Sequence, residues 1–110
     1  MPTLKFLFIG DVVGAPGMNA LKSHLPQLIE QHNPNVVTVN GENVVNGKGL
    51  SAKEAAEIFN LGANVVTTGN HIWEHWHARP LLSENPLVLR PANYPGGNPG
   101  KGYVVFETSM

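Results

Sequence analysis

The chain has 110 residues, 42% of them apolar, and a formal net charge of −1 at pH 7. This length suits one small domain, and the apolar fraction excludes a disordered chain. The near-zero net charge disfavours binding to nucleic acid or to acidic membranes. Because the chain contains no cysteine, disulfides and thiolate metal sites are excluded, and any metal would have to be held by Asp, Glu, Asn or His.

The amino-terminal segment contains one short apolar run, residues 6–9. This run is too short for a signal peptide or a membrane-spanning helix. The lack of cysteine also fits a reducing compartment. The sequence therefore favours a cytoplasmic protein, with residues 1–110 forming a single domain.

Strand and helix patterns alternate along the first half of the chain. Residues 4–9 are apolar on both faces and predict a buried parallel strand. A helix is predicted over residues 18–31, with its leucines on one face, a kink or restart at Pro26, and an end at Asn33. The β-branched residues 36–40 predict the second strand.

In the second half, Ser51 and Glu54 predict a capping box for a helix over residues 52–60, with Gly62 as its C-cap. The remaining pattern predicts strands at 63–68, 86–90 and 102–107, a loop at 91–102, and a short helix at 73–82 that Pro80 bends or ends. The β-α-β-α-β order predicts an α/β fold, with a parallel sheet and right-handed crossover helices.

Three predicted strands end in the same way, with a glycine followed by polar residues: Gly10-Asp11, Gly41-Glu42-Asn43 and Gly69-Asn70-His71. Each of these endings alone is more typical of a turn or a helix N-cap. In a parallel sheet, however, all three would meet at the carboxyl edge, where ligands bind. Such a group of oxygen and nitrogen donors suits Mn²⁺, Fe or Mg²⁺, and is compatible with Zn²⁺.

An ordered series of motifs extends over nearly the whole chain. It comprises Phe8-Ile9-Gly10-Asp11-Val12-Val13-Gly14, Asn40-Gly41-Glu42-Asn43, Gly47-Lys48-Gly49, Gly69-Asn70-His71-Ile72-Trp73 and Leu89-Arg90-Pro91-Ala92-Asn93-Tyr94. The set resembles the bacterial YmdB-like family of calcineurin-like metallophosphoesterases, which hydrolyse cyclic nucleotides. Val13 stands where the wider superfamily has a histidine, a change that the YmdB-like subfamily shares. The resemblance implies the N-terminal half of a four-layer αββα sandwich.

The resemblance also implies a dinuclear-metal phosphodiesterase that acts on cyclic nucleotides or related phosphodiesters. Asp11 would ligate the first metal, Glu42 would bridge both metals, Asn70 would ligate the second, and Asn43 would lie in or beside the same shell. A metal-activated water would be the nucleophile, with His71 as proton donor or as the group that stabilises the scissile phosphate. The implied cofactors are two divalent ions, Mn or Fe in preference to Mg or Zn.

Members of this family are usually more than twice as long as this chain, and their C-terminal half supplies further histidine ligands. We therefore expect weak binding of both metals, and an apolar sheet face whose exposure favours self-association. The alternative function is that of a non-catalytic, self-associating α/β fragment. A Rossmann-type nucleotide module is disfavoured, because residues 10–14 lack the G-x-G-x-x-G fingerprint.

Other motifs have a structural interpretation that outweighs a functional one. His71 and His75 have the spacing of a helical Zn²⁺ site, but capping or solvated histidines are favoured at His75 and His77. Trp73 and Trp76 are more typical of core packing than of base stacking. Gly47-Lys48-Gly49 favours a plain turn over an anion-binding loop. For residues 90–94, lining the substrate pocket is no more favoured than a plain loop.

Overall fold

The computed structural model describes residues 3–74 and 78–108. These residues form a four-stranded parallel sheet in the order β1-β2-β3-β4, which confirms the predicted α/β class. The strands are β1 (Phe6–Ile9), β2 (Val36–Asn40), β3 (Val65–Thr67) and β4 (Val88–Leu89). The helices are α1 (Gly14–His32), α2 (Ala52–Asn60) and α3 (Ala78–Glu84), with a 3₁₀ helix at Asn70–Glu74.

Helix α1 is longer than predicted and is not interrupted. It begins at Gly14 and continues through Pro26, so the helix does not restart there, and the kink remains a prediction. Pro26 lies on the exposed side of the helix, where water can bond the carbonyl that loses its N–H partner. The helix ends where predicted, because Asn33 adopts a left-handed conformation (φ 48°) and its N–H bonds the carbonyl of Ile29 at 2.8 Å.

Helix α2 has the predicted bounds but not the predicted cap. The Ser51 side chain makes no hydrogen bond to the helix backbone, and instead its hydroxyl donates to the Glu54 carboxylate. Glu54 still stabilises the first turn, because a negative charge there is opposite the positive end of the helix dipole. After Leu61, Gly62 turns the chain with φ 119°, a conformation that glycine adopts without strain.

The carboxyl-terminal third of the chain departs most from the prediction. The helix expected over residues 73–82 is replaced by the 3₁₀ helix Asn70–Glu74 and by α3, and residues 75–77 lie outside the described part. Residues 103–108 are described but form no strand, so the strand predicted at 102–107 is wrong. Tyr103 and Val105 are 75% and 84% exposed. The pattern reports β propensity, but a strand also needs a neighbour to complete its hydrogen bonds.

The hydrophobic core lies on one side of the sheet, between the strands and the helices. The sheet adds one strand at a time in one direction, so right-handed crossovers place successive helices on the same face. The strand residues of this covered face pack with α1, α2 and α3 in one cluster: Leu7, Ile9, Val37, Val39, Val66 and Val88. Within the described residues, no helix is long and apolar enough to span a bilayer.

The opposite face of the sheet is not covered by these helices. The register places eight strand residues on this face, which we call the open face: Phe6, Phe8, Val36, Thr38, Asn40, Val65, Thr67 and Leu89. Phe6 and Phe8 are 66% and 60% exposed, whereas Val36 and Val65, at the amino ends of the inner strands on this face, are buried. The prediction that β1 is buried on both faces is therefore wrong, because β1 is an edge strand with one exposed face.

Candidate metal-binding active site

The polar residues that follow β1, β2 and β3 line one cleft of about 400 Å³, which we call the site cleft. It is lined by all five residues that the sequence proposes for the site: Asp11, Glu42, Asn43, Asn70 and His71. The structure therefore brings together side chains that are up to sixty residues apart in the chain, because parallel strands deliver their carboxyl ends to one edge.

Two further residues of the site cleft, Phe8 and Asn40, were not singled out from the sequence. Both lie on the open face of the sheet, on adjacent strands. Period-two alternation could have found them, because Phe8 lies two residues before Gly10 and Asn40 lies two residues before Glu42. The sequence alone did not predict that Phe8 and Asn40 would lie on the open face of the sheet.

The loop after β1 is held against the loop after β2 by backbone hydrogen bonds. Val12 N–H donates to the carbonyl of Asn40 at 3.3 Å, and Gly14 N–H donates to the carbonyl of Asn43 at 3.0 Å. Asp11, beside these contacts, has a left-handed backbone with φ 43°. Such a conformation is uncommon for a residue with a side chain, and it recurs at functional sites. Here it directs the carboxylate of Asp11 into the site cleft.

Asp11, Asn43 and His71 form a continuous hydrogen-bonded chain. The Asn43 amide Nδ2 donates to Asp11 Oδ1 at 2.6 Å, so the Asn43 carbonyl oxygen is turned toward His71 Nδ1. A carbonyl oxygen only accepts, and therefore His71 Nδ1 is the donor. This leaves the other ring nitrogen, Nε2, outside the chain of hydrogen bonds and available for proton transfer.

Glu42 is the most enclosed charged group of the site cleft. Its side chain is 18% exposed, compared with 41% for His71. Its Oε2 accepts a hydrogen bond from the His71 backbone N–H at 3.3 Å and lies 3.7 Å from His71 Nδ1. On the other side, Asn40 Nδ2 lies 3.5 Å from Glu42 Oε1 and from Thr67 Oγ1. The Glu42 carboxylate is thus held between the ends of β2 and β3.

The donor chemistry of the site cleft suits a hard divalent cation. Within residues 3–74 and 78–108, no three His, Asp or Glu side chains are grouped closely enough to form a metal site by themselves. The amide oxygens of Asn43 and Asn70 would have to complete the shell around Asp11 and Glu42. Such an oxygen-rich set fits Mn²⁺, Fe or Mg²⁺ better than a metal that prefers sulfur ligands.

The other motifs lie apart from this chemistry. Residues 46–49 form a tight turn, with Lys48 N–H bonded to the carbonyl of Val45 at 2.8 Å. Trp73 packs against the core, and its ring meets that of Tyr94 edge-on, with ring centres 5.4 Å apart. Arg90 Nη1 donates to the carbonyls of Pro91 and Tyr94 and so fixes the loop at 90–94. The proposed roles of His75, Trp76 and His77 fall outside the described residues.

Comparison with known proteins agrees with the motifs and the fold. A family model described as "YmdB-like protein" matches residues 7–110. The chain belongs to this family. It is 41% identical, over 106 residues, to the Bacillus subtilis protein named 2′,3′-cyclic-nucleotide 2′-phosphodiesterase, and this match covers 96% of the chain and 40% of that relative.

Two solved structures resemble the YmdB-like chain closely. A hypothetical protein from Thermus thermophilus superposes with a TM-score of 0.88 and 40% identity, covering 96% of the chain and 41% of that protein. A structure titled as a novel phosphatase from Mycoplasma pneumoniae gives a TM-score of 0.88 and 37% identity, covering 97% and 40%. The YmdB-like chain thus spans about two-fifths of the length of these relatives.

Proposed function

We propose that the YmdB-like chain carries part of the active site of a metal-dependent phosphodiesterase that acts on cyclic nucleotides or related phosphodiesters. The observation that carries this proposal is the convergence of Asp11, Glu42, Asn43, Asn70 and His71 on one cleft. The name of the Bacillus subtilis relative supports the choice of a cyclic nucleotide as substrate. The absence of a membrane-spanning helix among the described residues is compatible with the cytoplasmic location that we also propose.

The chain's own residues have distinct roles in this proposal. Asp11, Glu42, Asn43 and Asn70 would hold two divalent ions, Mn or Fe in preference to Mg or Zn. Ions bound there supply Lewis-acid activation of the phosphate and of the attacking water. His71 is oriented by its Nδ1 contact with Asn43, and it would hold a proton at Nε2 for the leaving oxygen.

The experiment that tests this function is Mn²⁺-dependent hydrolysis of 2′,3′-cyclic AMP. We expect His71→Ala to lower the rate by about 10²- to 10⁴-fold, the usual contribution of a general acid. Asp11→Asn should abolish the Mn²⁺-dependent hydrolysis, because a carboxylate ligand is lost. Matched controls are His32→Ala and Glu30→Gln, which alter exposed residues of α1 outside the site cleft.

The controls make the result decisive. Hydrolysis that survives in His32→Ala and Glu30→Gln but not in the two site variants would support the proposal. Equal activity in all four variants would place the reaction elsewhere. No hydrolysis above the blank with metal alone would favour the second candidate function.

That second candidate is a non-catalytic, self-associating α/β module. The open face favours it, because Phe6 and Phe8 present two large aromatic side chains to solvent on the edge strand. Exposed apolar surface of this kind is typical of contacts between chains. Sedimentation velocity over a range of concentrations tests it, and a monomer that shows no concentration dependence would rule it out.

A further inference from the structure

A glycine follows each of the strands β1, β2 and β3 within two residues of its end, and the three glycines have different surroundings. A methyl group added at Gly10, at the end of β1, would meet only the Phe8 ring at 3.8 Å. At Gly41, after β2, it would press on Val66 at 3.2 Å and on Ile58 at 3.6 Å, both in the core. Gly10, Gly41 and Gly69 all have backbone conformations that alanine also adopts. Any effect of alanine at these positions would therefore come from the added methyl group.

Gly69 differs because the space that a side chain would fill there is occupied by the carboxylate of Glu42. A Cβ atom there would overlap both carboxylate oxygens of Glu42 and lie 2.5 Å from its carboxyl carbon. The Glu42 carboxylate thus packs directly on the backbone of Gly69. In this position its Oε2 also reaches the His71 N–H, two residues further along the chain.

A second contact keeps the carboxylate in the same place. Asn40 and Thr67 are partners in the register between β2 and β3, and Asn40 Nδ2 lies within 3.5 Å of both Thr67 Oγ1 and Glu42 Oε1. Glu42 is therefore limited from one side by Asn40 and from the other by the His71 N–H. Gly69 provides the space between these two contacts.

We infer that Gly69 is a positioning residue, whose lack of a side chain sets the carboxylate of Glu42 against the end of β3 and beside His71. Because the overlapping atoms belong to the flexible end of Glu42, alanine at Gly69 would move that carboxylate rather than unfold the chain. This inference rests on the proposed function only where it concerns metal binding. The position of the carboxylate can be tested without metal.

The metal-free test is the NMR resonance of the His71 amide proton, which reports the hydrogen bond to Glu42. We expect Gly69→Ala to shift this resonance toward its position in Glu42→Ala, with faster hydrogen exchange. Gly10→Ala makes the same chemical change at the equivalent point of β1 and should leave the resonance unchanged. A wild-type His71 resonance in Gly69→Ala, or an equal shift in Gly10→Ala, would overturn the inference.

The second readout is Mn²⁺ affinity by calorimetry. Gly69→Ala should weaken binding by about 10- to 100-fold, as is typical when the support of a ligand is disturbed, with an unchanged melting temperature in EDTA. Glu42→Asp shortens the side chain and removes the overlap, so the loss in Gly69→Ala/Glu42→Asp should be smaller than the combined losses of the single variants. Purely additive losses would contradict the proposed contact.

Failure of the wild-type chain to bind Mn²⁺ would overturn the proposed function. The comparison of the His71 amide resonances would then decide the role of Gly69 by itself.

Discussion

The two faces of the sheet differ in burial and in function: the covered face contributes to the hydrophobic core, and the open face contributes to the site cleft. On the covered face, Val39, Val66 and Val88 are fully buried beneath the helices. On the open face, the edge strand exposes Phe6 and Phe8, and Phe8 and Asn40, near the carboxyl ends of β1 and β2, line the site cleft. Burial of apolar area stabilises the fold, whereas an uncovered face is accessible to substrate or to another chain. Substitutions on the two faces should therefore affect different properties.

The largest effect on folding is expected on the covered side. Ile58 of α2 is fully buried in the core, and Ile58→Ala should lower the free energy of unfolding by about 2–5 kcal/mol, because a cavity is left behind. Phe8→Ala removes a larger side chain from the open face and should cost less than about 1 kcal/mol, as for other exposed positions. Urea denaturation measures both. Equal losses would mean that the open face is covered in solution.

The open face should control association between chains. The double variant Phe6→Ser/Phe8→Ser should weaken self-association by about tenfold or more, since burial of each aromatic side chain is worth about 1.5–3 kcal/mol. Ala56→Ser, on the exposed side of α2, is the control and should associate like the wild type. Sedimentation equilibrium of the three proteins makes the comparison. If only the control variant changes, the contact lies on the helical side.

The smallest effect is expected at the outer surface of the helices. Lys22 Nζ of α1 lies 3.2 Å from Glu57 Oε2 of α2, with the two side chains 50% and 33% exposed. Water and salt screen such a pair, so Lys22→Ala should cost no more than about 1 kcal/mol, and less at high ionic strength. Lys53→Ala, at another exposed lysine, is the reference in thermal denaturation at low and high salt. If Lys22→Ala lowers the stability equally at low and high salt, the loss would come from the packing of the aliphatic part of the lysine side chain instead.

Local signals were enough to predict some elements. The bounds of β2 and α2 agree with the sequence pattern. A β-branched run favours a strand, and Glu54 in the first turn and Gly62 after the last mark the limits of the helix. The pattern failed where an outcome depended on a neighbour. Pro26 was tolerated because its side of α1 is exposed, and residues 102–107 remained outside the sheet because no described strand pairs with them.

The candidate site shows the same division. The repeated glycine-polar endings predicted which side chains would meet, since a parallel sheet gathers its carboxyl ends at one edge. The distances between the site side chains, and the directions in which they point, were not predictable from the spacing of these residues in the sequence. The left-handed backbone of Asp11 and the hydrogen bond from Asn43 that joins it to His71 arise from contacts between separate loops.

The sequence by itself determined the family, the alternation of strands and helices, and the polar residues at the strand ends, because these are properties of composition and local order. Only the tertiary structure decided that one face of β1 is exposed, that Phe8 and Asn40 join the site cleft, and that Glu42 rests on Gly69. The physical reason is that burial and contact depend on what lies across the sheet. A residue's own neighbours in the chain do not specify this.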